Sequence, residues 1–237
     1  FSPKAFETIS GKPIYSHKNF YGVIFPFIKG FAPEPKAIVV SQLGETLAKL
    51  HSLEIHSEDL DSIRPHDLVG FGGMHIYDYT ISKDAPEDFC NAFNKIFENK
   101  LLDIPYDIFP AGIIHGDLYL DNSLFNNDRI QTLIDFEQAG RGRFILDLGI
   151  AISGSCLNSK RTNIDVSLKK SFLEGYEKQR KLLTIEKEYL DIAILVGFFS
   201  ISLWRIKRFY EGDLDSSKKF NYRDLLERAL NFHQTLS

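Results

Sequence analysis

The sequence predicts an α+β protein, in which a small β piece is followed by a larger, mostly helical lobe that holds a short β hairpin. Three observations support this prediction. Short strand-like segments fill residues 1–30, apolar residues recur at helical spacing along much of the later chain, and two extended segments flank a cluster of turn-forming residues near the middle. The predicted boundary lies near residue 30: residues 1–30 form the end of an N-terminal β lobe and a hinge, and residues 31–237 form the helical lobe.

The N-terminal piece is predicted from two short segments, residues 12–14 and 21–25. Both are rich in strand-forming residues and flank a polar loop, so we expect them to be neighbouring strands. Gly30 and the prolines at positions 33 and 35 interrupt regular structure directly afterwards. A hinge at about residues 26–31 therefore separates this piece from the rest.

Helices are predicted wherever apolar residues recur at a spacing of three and four. His51 lies near the end of the first predicted helix and is interpreted as a packed or capping residue. Residues 54–84 lack this periodicity and are predicted to be irregular. The predicted helices cover residues 36–53, a segment that begins near Pro86, and residues 165–182, 184–211 and 222–235.

A hairpin is predicted within the β-rich segment 111–150. Residues 123–125 and 130–136 are extended segments joined by Asn126-Asn127-Asp128, residue types that favour turns. A turn centred near residues 127–128 places Asn122 and Asp135 at similar distances from it on opposite strands. We therefore expect these two polar residues to be neighbours in space.

Composition argues against several classes of protein. The net charge of -4 and the pI near 6.0 do not match the basic footprint of a nucleic-acid-binding protein. The longest uncharged run, residues 192–204, is shorter than the roughly 20 residues of a membrane span, so a buried core helix is predicted. Cys90 and Cys156 do not form a C-x-x-C pair, which indicates reduced thiols and a cytoplasmic location. No nucleic-acid or membrane partner is expected, and the oligomeric state is left open.

Three polar residues carry the chemical prediction. Asp117 follows the apolar strand 111–114, and with an ordinary pKa of about 3.9 its carboxylate is ionised at pH 7 and can accept a hydroxyl proton. Asn122 and Asp135 offer oxygen ligands, and Mg²⁺ usually takes only one or two ligands from the protein. The order and spacing are those of ATP-dependent phosphoryl transfer, which predicts ATP and Mg²⁺ as cofactors.

The motif His115-Gly116-Asp117 with Asn122, followed by Ile134-Asp135-Phe136 and Asp147-Leu148, resembles the aminoglycoside phosphotransferase and choline kinase superfamily of protein-kinase-like small-molecule kinases. The resemblance covers nearly all of residues 12–235 and is strongest to the homoserine kinase branch. It implies that Asp117 is the catalytic base and that Asn122 and Asp135 bind Mg²⁺. It further implies that His115 and Asp147 support the catalytic loop.

The same resemblance implies an adenine-binding hinge at Phe25-Pro26-Phe27-Ile28, with Phe25 at the back of the pocket. Adenine would use the carbonyl of Pro26 and the N–H of Ile28, and proline retains the carbonyl. The superfamily's phosphate-covering loop, strand lysine and partner glutamate are expected upstream of residue 1. The chain is accordingly interpreted as a fragment of a longer protein, with a degenerate, pseudokinase-like binding module as the alternative.

The implied substrate is the hydroxyl of a small polar metabolite, homoserine first, with an aminoglycoside or choline as the alternative. Gly116 replaces the alanine of the homoserine kinase branch, Leu120-Asp121 replaces its Arg-Asp, and Glu137 is more typical of the wider superfamily. Tyr119, Asp121 and Glu137 are candidate substrate contacts. A polycationic drug would need several carboxylates, such as Glu137, Glu174 and Glu177; an amino acid would need a cation, for which Arg205 and Arg208 are candidates.

Overall fold

The computed structural model describes residues 2–55, 61–65, 72–97, 104–212 and 214–236. The helices in this part of the chain are α1 (Ala37–His51), α2 (Gly73–Thr80), α3 (Glu87–Phe97), α4 (Phe144–Ser155), α5 (Val166–Tyr176), α6 (Thr184–Arg205) and α7 (Arg223–Gln234). The strands are β1 (Tyr15–His17), β2 (Phe20–Gly22), β3 (Ala111–Ile114), β4 (Ser123–Asn126), β5 (Arg129–Leu133) and β6 (Gly140–Arg143). They form three two-stranded antiparallel sheets, β1–β2, β3–β6 and β4–β5. The α+β fold is as predicted.

The N-terminal strands are shorter than predicted and displaced. β1 pairs with β2 so that Tyr15 lies opposite Gly22 and His17 opposite Phe20. Lys18, in the connecting turn, has a φ of 53°. This tight turn sets the register, so the strands pair only through the residues directly beside it. The strands predicted from composition, residues 12–14 and 21–25, are centred further from the turn.

The predicted helices in the 36–53, 86 onward, 165–182, 184–211 and 222–235 segments are confirmed, with shorter bounds. In the part of the chain that the structure describes, α2 and α4 were not predicted. α2 occupies part of the segment that was expected to be irregular, and α4 follows β6 within the segment that was interpreted as β-rich. α4 is buried on nearly every side, so its residues show no alternation between apolar and polar faces, which is the signal that identifies a helix in a sequence.

The helical core brings α4 against α6. A Cβ at Gly149 on α4 would lie 2.0 Å from the carbonyl oxygen of Ala193 on α6, so only glycine permits this approach. α1 packs on α5, and α7 packs on α6. The close crossing matters for the site, because α4 carries Asp147 and α6 carries Arg205.

By length and composition alone, the helical stretch Thr184–Glu211 could cross a membrane. Its most apolar window is 67% buried inside the protein, however, which is typical of a core helix. The prediction of a buried helix over residues 192–204 is consistent with this packing. After Arg205 the helix continues as a π-helical segment, Ile206–Glu211.

Candidate active site

The β4–β5 hairpin positions the two candidate metal ligands. Ser123 pairs with Leu133 and Asn126 with Arg129, and the turn consists of Asn127 and Asp128, with φ values of 50° and 57°. Two left-handed residues are typical of the two-residue turns that match strand twist, so the predicted turn is confirmed. Beyond the paired residues, the N–H of Ile134 donates to the carbonyl of Asn122 over 3.0 Å, which holds Asn122 beside the residue that precedes Asp135.

Asn122 and Asp135 line one cavity of 240 Å³. The Nδ2 of Asn122 donates to the carbonyl of Asp117 at 2.6 Å, which leaves Oδ1 available as a ligand. Asp135 adopts a left-handed conformation (φ 62°, ψ 60°), and its exposed carboxylate forms no hydrogen bond or ion pair with another described residue. Such backbone strain is common at functional sites. One amide and one carboxylate oxygen suit Mg²⁺, which fills its other positions with phosphate and water.

The described residues contain no cluster of three or more acidic, histidine or cysteine side chains that could enclose a metal ion by itself. The donor set at Asn122 and Asp135 therefore fits a cation that is shared with a phosphate-bearing ligand better than a metal held by protein ligands alone.

Asp117 lies on the same cavity, where its Oδ2 accepts a hydrogen bond from Asn122 Nδ2 at 3.2 Å. Burial raises the pKa of Asp117 to about 7, and the charges of Asp121 and Asp135 act in the same direction. The sequence led us to expect the ordinary value, because burial and neighbouring charge depend on the tertiary structure. A cation held at Asn122 and Asp135 would favour the ionised form of Asp117 again.

Asp147 holds the loop that carries Asp117. Its side chain is fully buried at the start of α4, where Oδ2 accepts from the N–H of His115 and Oδ1 from the N–H of Gly116, each at 2.8 Å. His115 in turn donates from Nε2 to the carbonyl of Ile134 at 3.0 Å. The loop that carries Asp117 is therefore hydrogen-bonded to α4 through Asp147 and to the end of the hairpin through Ile134.

His51 extends this support into the helical core. Its Nε2–H donates to Asp147 Oδ2 at 3.0 Å, and its Nδ1 accepts from the hydroxyl of Tyr176 at 2.7 Å. The ring stacks on Phe144 with a centroid distance of 4.3 Å. Tyr176 also accepts from Arg180 at 3.1 Å. His51 is therefore packed, as interpreted from the sequence, but its contact with Asp147 also connects α1 and α5 to the site.

We expect the free energy of unfolding of the wild type to fall more steeply than that of His51→Gln between pH 7 and pH 5. Burial lowers the pKa of His51 below 6.5, although Asp147 opposes the shift. The unfolded chain therefore binds the proton first, so protonation removes stability as the pH falls, by up to about 1.4 kcal/mol per pH unit for one histidine. Asp147, whose pKa is lowered, loses its contribution only below its unfolded value of 3.8.

Urea unfolding of both proteins across this range checks the expectation. His115, whose pKa is also lowered by burial, contributes equally to both proteins and cancels in the comparison. Parallel pH profiles would show that His51 is not kept neutral by its surroundings.

The candidate substrate contacts occupy different positions. Tyr119 and Asp121 line the cavity, whereas Glu137 is exposed and does not. A Cβ at Gly154 would lie 2.2 Å from the Tyr119 ring, so the ring can occupy this position only because residue 154 is glycine. Glu137 still lies close enough to Asp117 to raise its pKa.

The predicted adenine hinge lies in an irregular segment between β2 and α1. Phe25 is 51% exposed and Phe27 is 93% exposed, while Pro26 and Ile28 are partly covered. Phe25 is therefore half exposed where the resemblance implied a position at the back of a pocket. The segment leads into Phe31, which exchanges backbone hydrogen bonds of 2.9 Å with Phe125 on β4.

α6 supplies cavity residues that the motif does not reveal. Ser200, Trp204 and Arg205 line the cavity, together with Gln138, whose Oε1 is buried without a hydrogen-bond partner among the described residues. Ser200 lies within the apolar run 192–204 and Arg205 directly follows it, and such polar residues are a usable signal. The sequence could not tell, however, which side of α6 faces the site. Arg208, the second candidate cation, is exposed and lies over the Trp204 ring at 4.9 Å.

A second, larger cavity of 560 Å³ lies between α6 and the β3–β6 sheet. Its lining includes Ile145, Tyr189 and Val196, with Arg141 and Arg143 at β6. Both arginines form ion pairs there, Arg141 with Asp61 at 2.6 Å and Arg143 with Asp107 at 3.2 Å. Both residues lie on β6, where Arg141 is opposite Ile113 and Arg143 is opposite Ala111 of β3.

Comparisons with known proteins identify relatives of this chain. A homoserine kinase of Neisseria meningitidis serogroup B is 36% identical over 121 residues, which cover 49% of this chain and 39% of that protein. A homoserine kinase of Rhodopseudomonas palustris is 25% identical over 236 residues, which cover 97% of this chain and 68% of that protein. The chain thus spans between two fifths and about two thirds of the length of these relatives.

A solved aminoglycoside phosphotransferase from Alicyclobacillus acidocaldarius shares the fold, with a TM-score of 0.67 and 19% identity over 99% of this chain and 76% of the other. Residues 20–185, more than half of the chain, match the family model described as the phosphotransferase enzyme family. This segment contains Asp117, Asn122, Asp135 and Asp147. From the fold, the arrangement of these residues and the family match together, we conclude that the chain belongs to the phosphotransferase enzyme family, with homoserine kinases among its relatives.

Proposed function

We propose that the full-length protein is a Mg²⁺- and ATP-dependent kinase that phosphorylates the hydroxyl of a small polar metabolite, with L-homoserine as the first candidate. The observation that supports this most is that Asp117, Asn122 and Asp135 meet at one cavity of 240 Å³. The homoserine kinase relatives favour the same substrate.

In this proposal Asp117 receives the proton of the substrate hydroxyl. Its Oδ2 is hydrogen-bonded to Asn122, so Oδ1 is the atom that can accept the proton. Asn122 and Asp135 would hold Mg²⁺, which when bound neutralises charge on the triphosphate. His115 and Asp147 keep the loop in place, and the segment Phe25–Ile28 would receive adenine through the carbonyl of Pro26 and the N–H of Ile28.

Asp117, Asp121 and Asp135 make one side of the cavity acidic, but the position of Arg205 favours a small amino acid over a polycationic drug. Glu174 and Glu177, which an aminoglycoside site would use, lie near Lys170 and Lys187 instead and do not line the cavity. Arg205 does line it, and a cation there suits a substrate with a carboxylate. Tyr119 and Asp121 are the proposed neighbours of the rest of the substrate.

A coupled ADP-release screen of the full-length protein tests the proposal. With Mg²⁺ and ATP present, we expect L-homoserine to give the highest kcat/KM, and choline, hydroxylysine and kanamycin to give at least about 100-fold less, because a site that pairs with a carboxylate rejects ligands that lack it or place it differently. If kanamycin or choline gives a higher kcat/KM than L-homoserine, the assignment of homoserine as the substrate is wrong. No phosphate transfer to any acceptor, together with no Mg²⁺-ATP binding by calorimetry, would favour a binding module instead.

A further inference from the structure

We infer that Arg205 and the hydroxyl of Tyr119 form a subsite that binds the carboxylate of the substrate and selects hydroxy acids over neutral or cationic alcohols. The inference rests on the proposed function, because it names the substrate class of that same cavity. It concerns the side of the cavity that is formed by the end of α6.

Among the described residues that line the 240 Å³ cavity, Arg205 is the only cationic one. One guanidinium nitrogen, Nη1, donates to the carbonyl of Asn221 at 2.8 Å, which orients the side chain and leaves its other N–H groups for a ligand. Within the described ranges Arg205 forms no ion pair, although Asp117, Asp121 and Asp135 line the same cavity. A guanidinium with unused donors in a cavity is suited to a carboxylate, which it can bind through two parallel hydrogen bonds.

Arg161 and Arg228 add positive charge in the surroundings of Arg205, although neither residue lines the cavity. Burial lowers the pKa of Arg228 on α7, and the charges of Arg161 and Arg205 lower it further. Asp224, one helical turn before Arg228, acts in the opposite direction, but no described carboxylate forms an ion pair with Arg228. Like charges that approach without a counter-ion are unfavourable, and a bound anion would relieve this repulsion.

Tyr119 provides a neutral donor at the same place. Its hydroxyl is buried and forms no hydrogen bond with the side chains and backbone that the structure describes, even though Ser153 lies near it and donates instead to the carbonyl of Ile150. Burial raises the pKa of Tyr119 to about 12, and the charges of Arg205 and Arg228 partly oppose the shift. Tyr119 and Arg205 line the same cavity. A buried hydroxyl without a partner is costly, and a ligand oxygen would satisfy it.

The cavity is therefore acidic where the catalytic loop forms it and basic where α6 ends. Asp117 faces a hydroxyl that is to be phosphorylated, while Arg205 offers donors to an anionic group on the same molecule. A linear hydroxy acid such as homoserine carries both groups, whereas choline and aminoglycosides carry cations where this site has a guanidinium. Like-charge repulsion would exclude them.

The test compares L-homoserine with L-homoserine amide, which differ only in the charge and shape of the carboxyl end. In the wild type we expect kcat/KM to be about 100-fold higher for the acid, the size expected for hydrogen bonds to a charged group. In Arg205→Gln we expect this ratio to approach 1, through a higher KM for the acid with little change in kcat. Arg205→Lys keeps the charge and is expected to recover part of the preference.

Arg208→Gln is the matched control, since Arg208 lies three residues further along the same helix, is exposed and does not line the cavity. It should keep the wild-type ratio. Calorimetry with L-homoserine alone separates the two proposals. If homoserine and its amide are phosphorylated equally well, the subsite is wrong and the kinase proposal stands. If no acceptor is phosphorylated but Arg205→Gln still weakens homoserine binding at least about 10-fold, the kinase proposal is wrong and the subsite stands.

Discussion

Asp117→Asn is expected to lower kcat for phosphate transfer by about 1,000-fold, within the range of general base catalysis, while the protein remains folded. The amide has nearly the same shape as the carboxylate, but it cannot accept the hydroxyl proton. Asn122 Nδ2 would still donate to the backbone carbonyl of residue 117, because this hydrogen bond of 2.6 Å does not involve the substituted side chain. Steady-state kinetics with the acceptor identified by the ADP-release screen, together with a thermal unfolding curve, measure both effects.

Asp128→Asn is the matched control for this experiment. Asp128 lies at the tip of the same hairpin, in a left-handed conformation that asparagine also adopts readily, and its carboxylate pairs with Lys36 at 2.9 Å on the surface. The loss of that exposed ion pair should cost less than about 1 kcal/mol and leave kcat unchanged. Activity of Asp117→Asn within tenfold of the control would exclude Asp117 as the catalytic base.

Asp147→Asn is expected to lower both the free energy of unfolding, by about 2–4 kcal/mol, and kcat, by about 100-fold. The buried carboxylate accepts from the N–H of His115, the N–H of Gly116 and Nε2 of His51. An amide presents N–H groups to at least one of these donors, so a buried donor is left unpaired. The loop that carries Asp117 then loses its fixed position, and a shift of about 1 Å is enough for such a loss of rate.

His51→Gln is the comparison variant, since it retains the Asp147 charge and a side-chain N–H near it. We expect it to be less destabilised and to lose less activity than Asp147→Asn. Urea unfolding gives the stabilities, and kcat is measured at a temperature at which each variant is fully folded, so that unfolding does not mimic a catalytic effect. Wild-type kcat in folded Asp147→Asn would show that Asp147 contributes to stability alone.

The sequence alone determined the parts of the site that depend on local structure. The turn residues Asn127 and Asp128 specify a hairpin, and the hairpin makes neighbours of Asn122 and Asp135, because strand pairing depends mainly on short-range turn geometry. The motif around Asp117 indicated a kinase-like family, and the match over residues 20–185 confirms the family. The periodic helices were predictable for a similar reason, since each has one buried and one exposed face.

Only the tertiary structure decided which distant residues meet at these positions. α4 is buried on nearly every side and leaves no periodic signal, so its contact with α6 and the buried hydrogen bond between Asp147 and His51 could not be predicted. Arg205 and Arg208 are equivalent in sequence, yet only Arg205 lines the cavity, because the orientation of α6 is set by its packing against α4 and α7. The pKa of Asp117 likewise depends on burial and neighbouring charges, which exist only once the chain has folded.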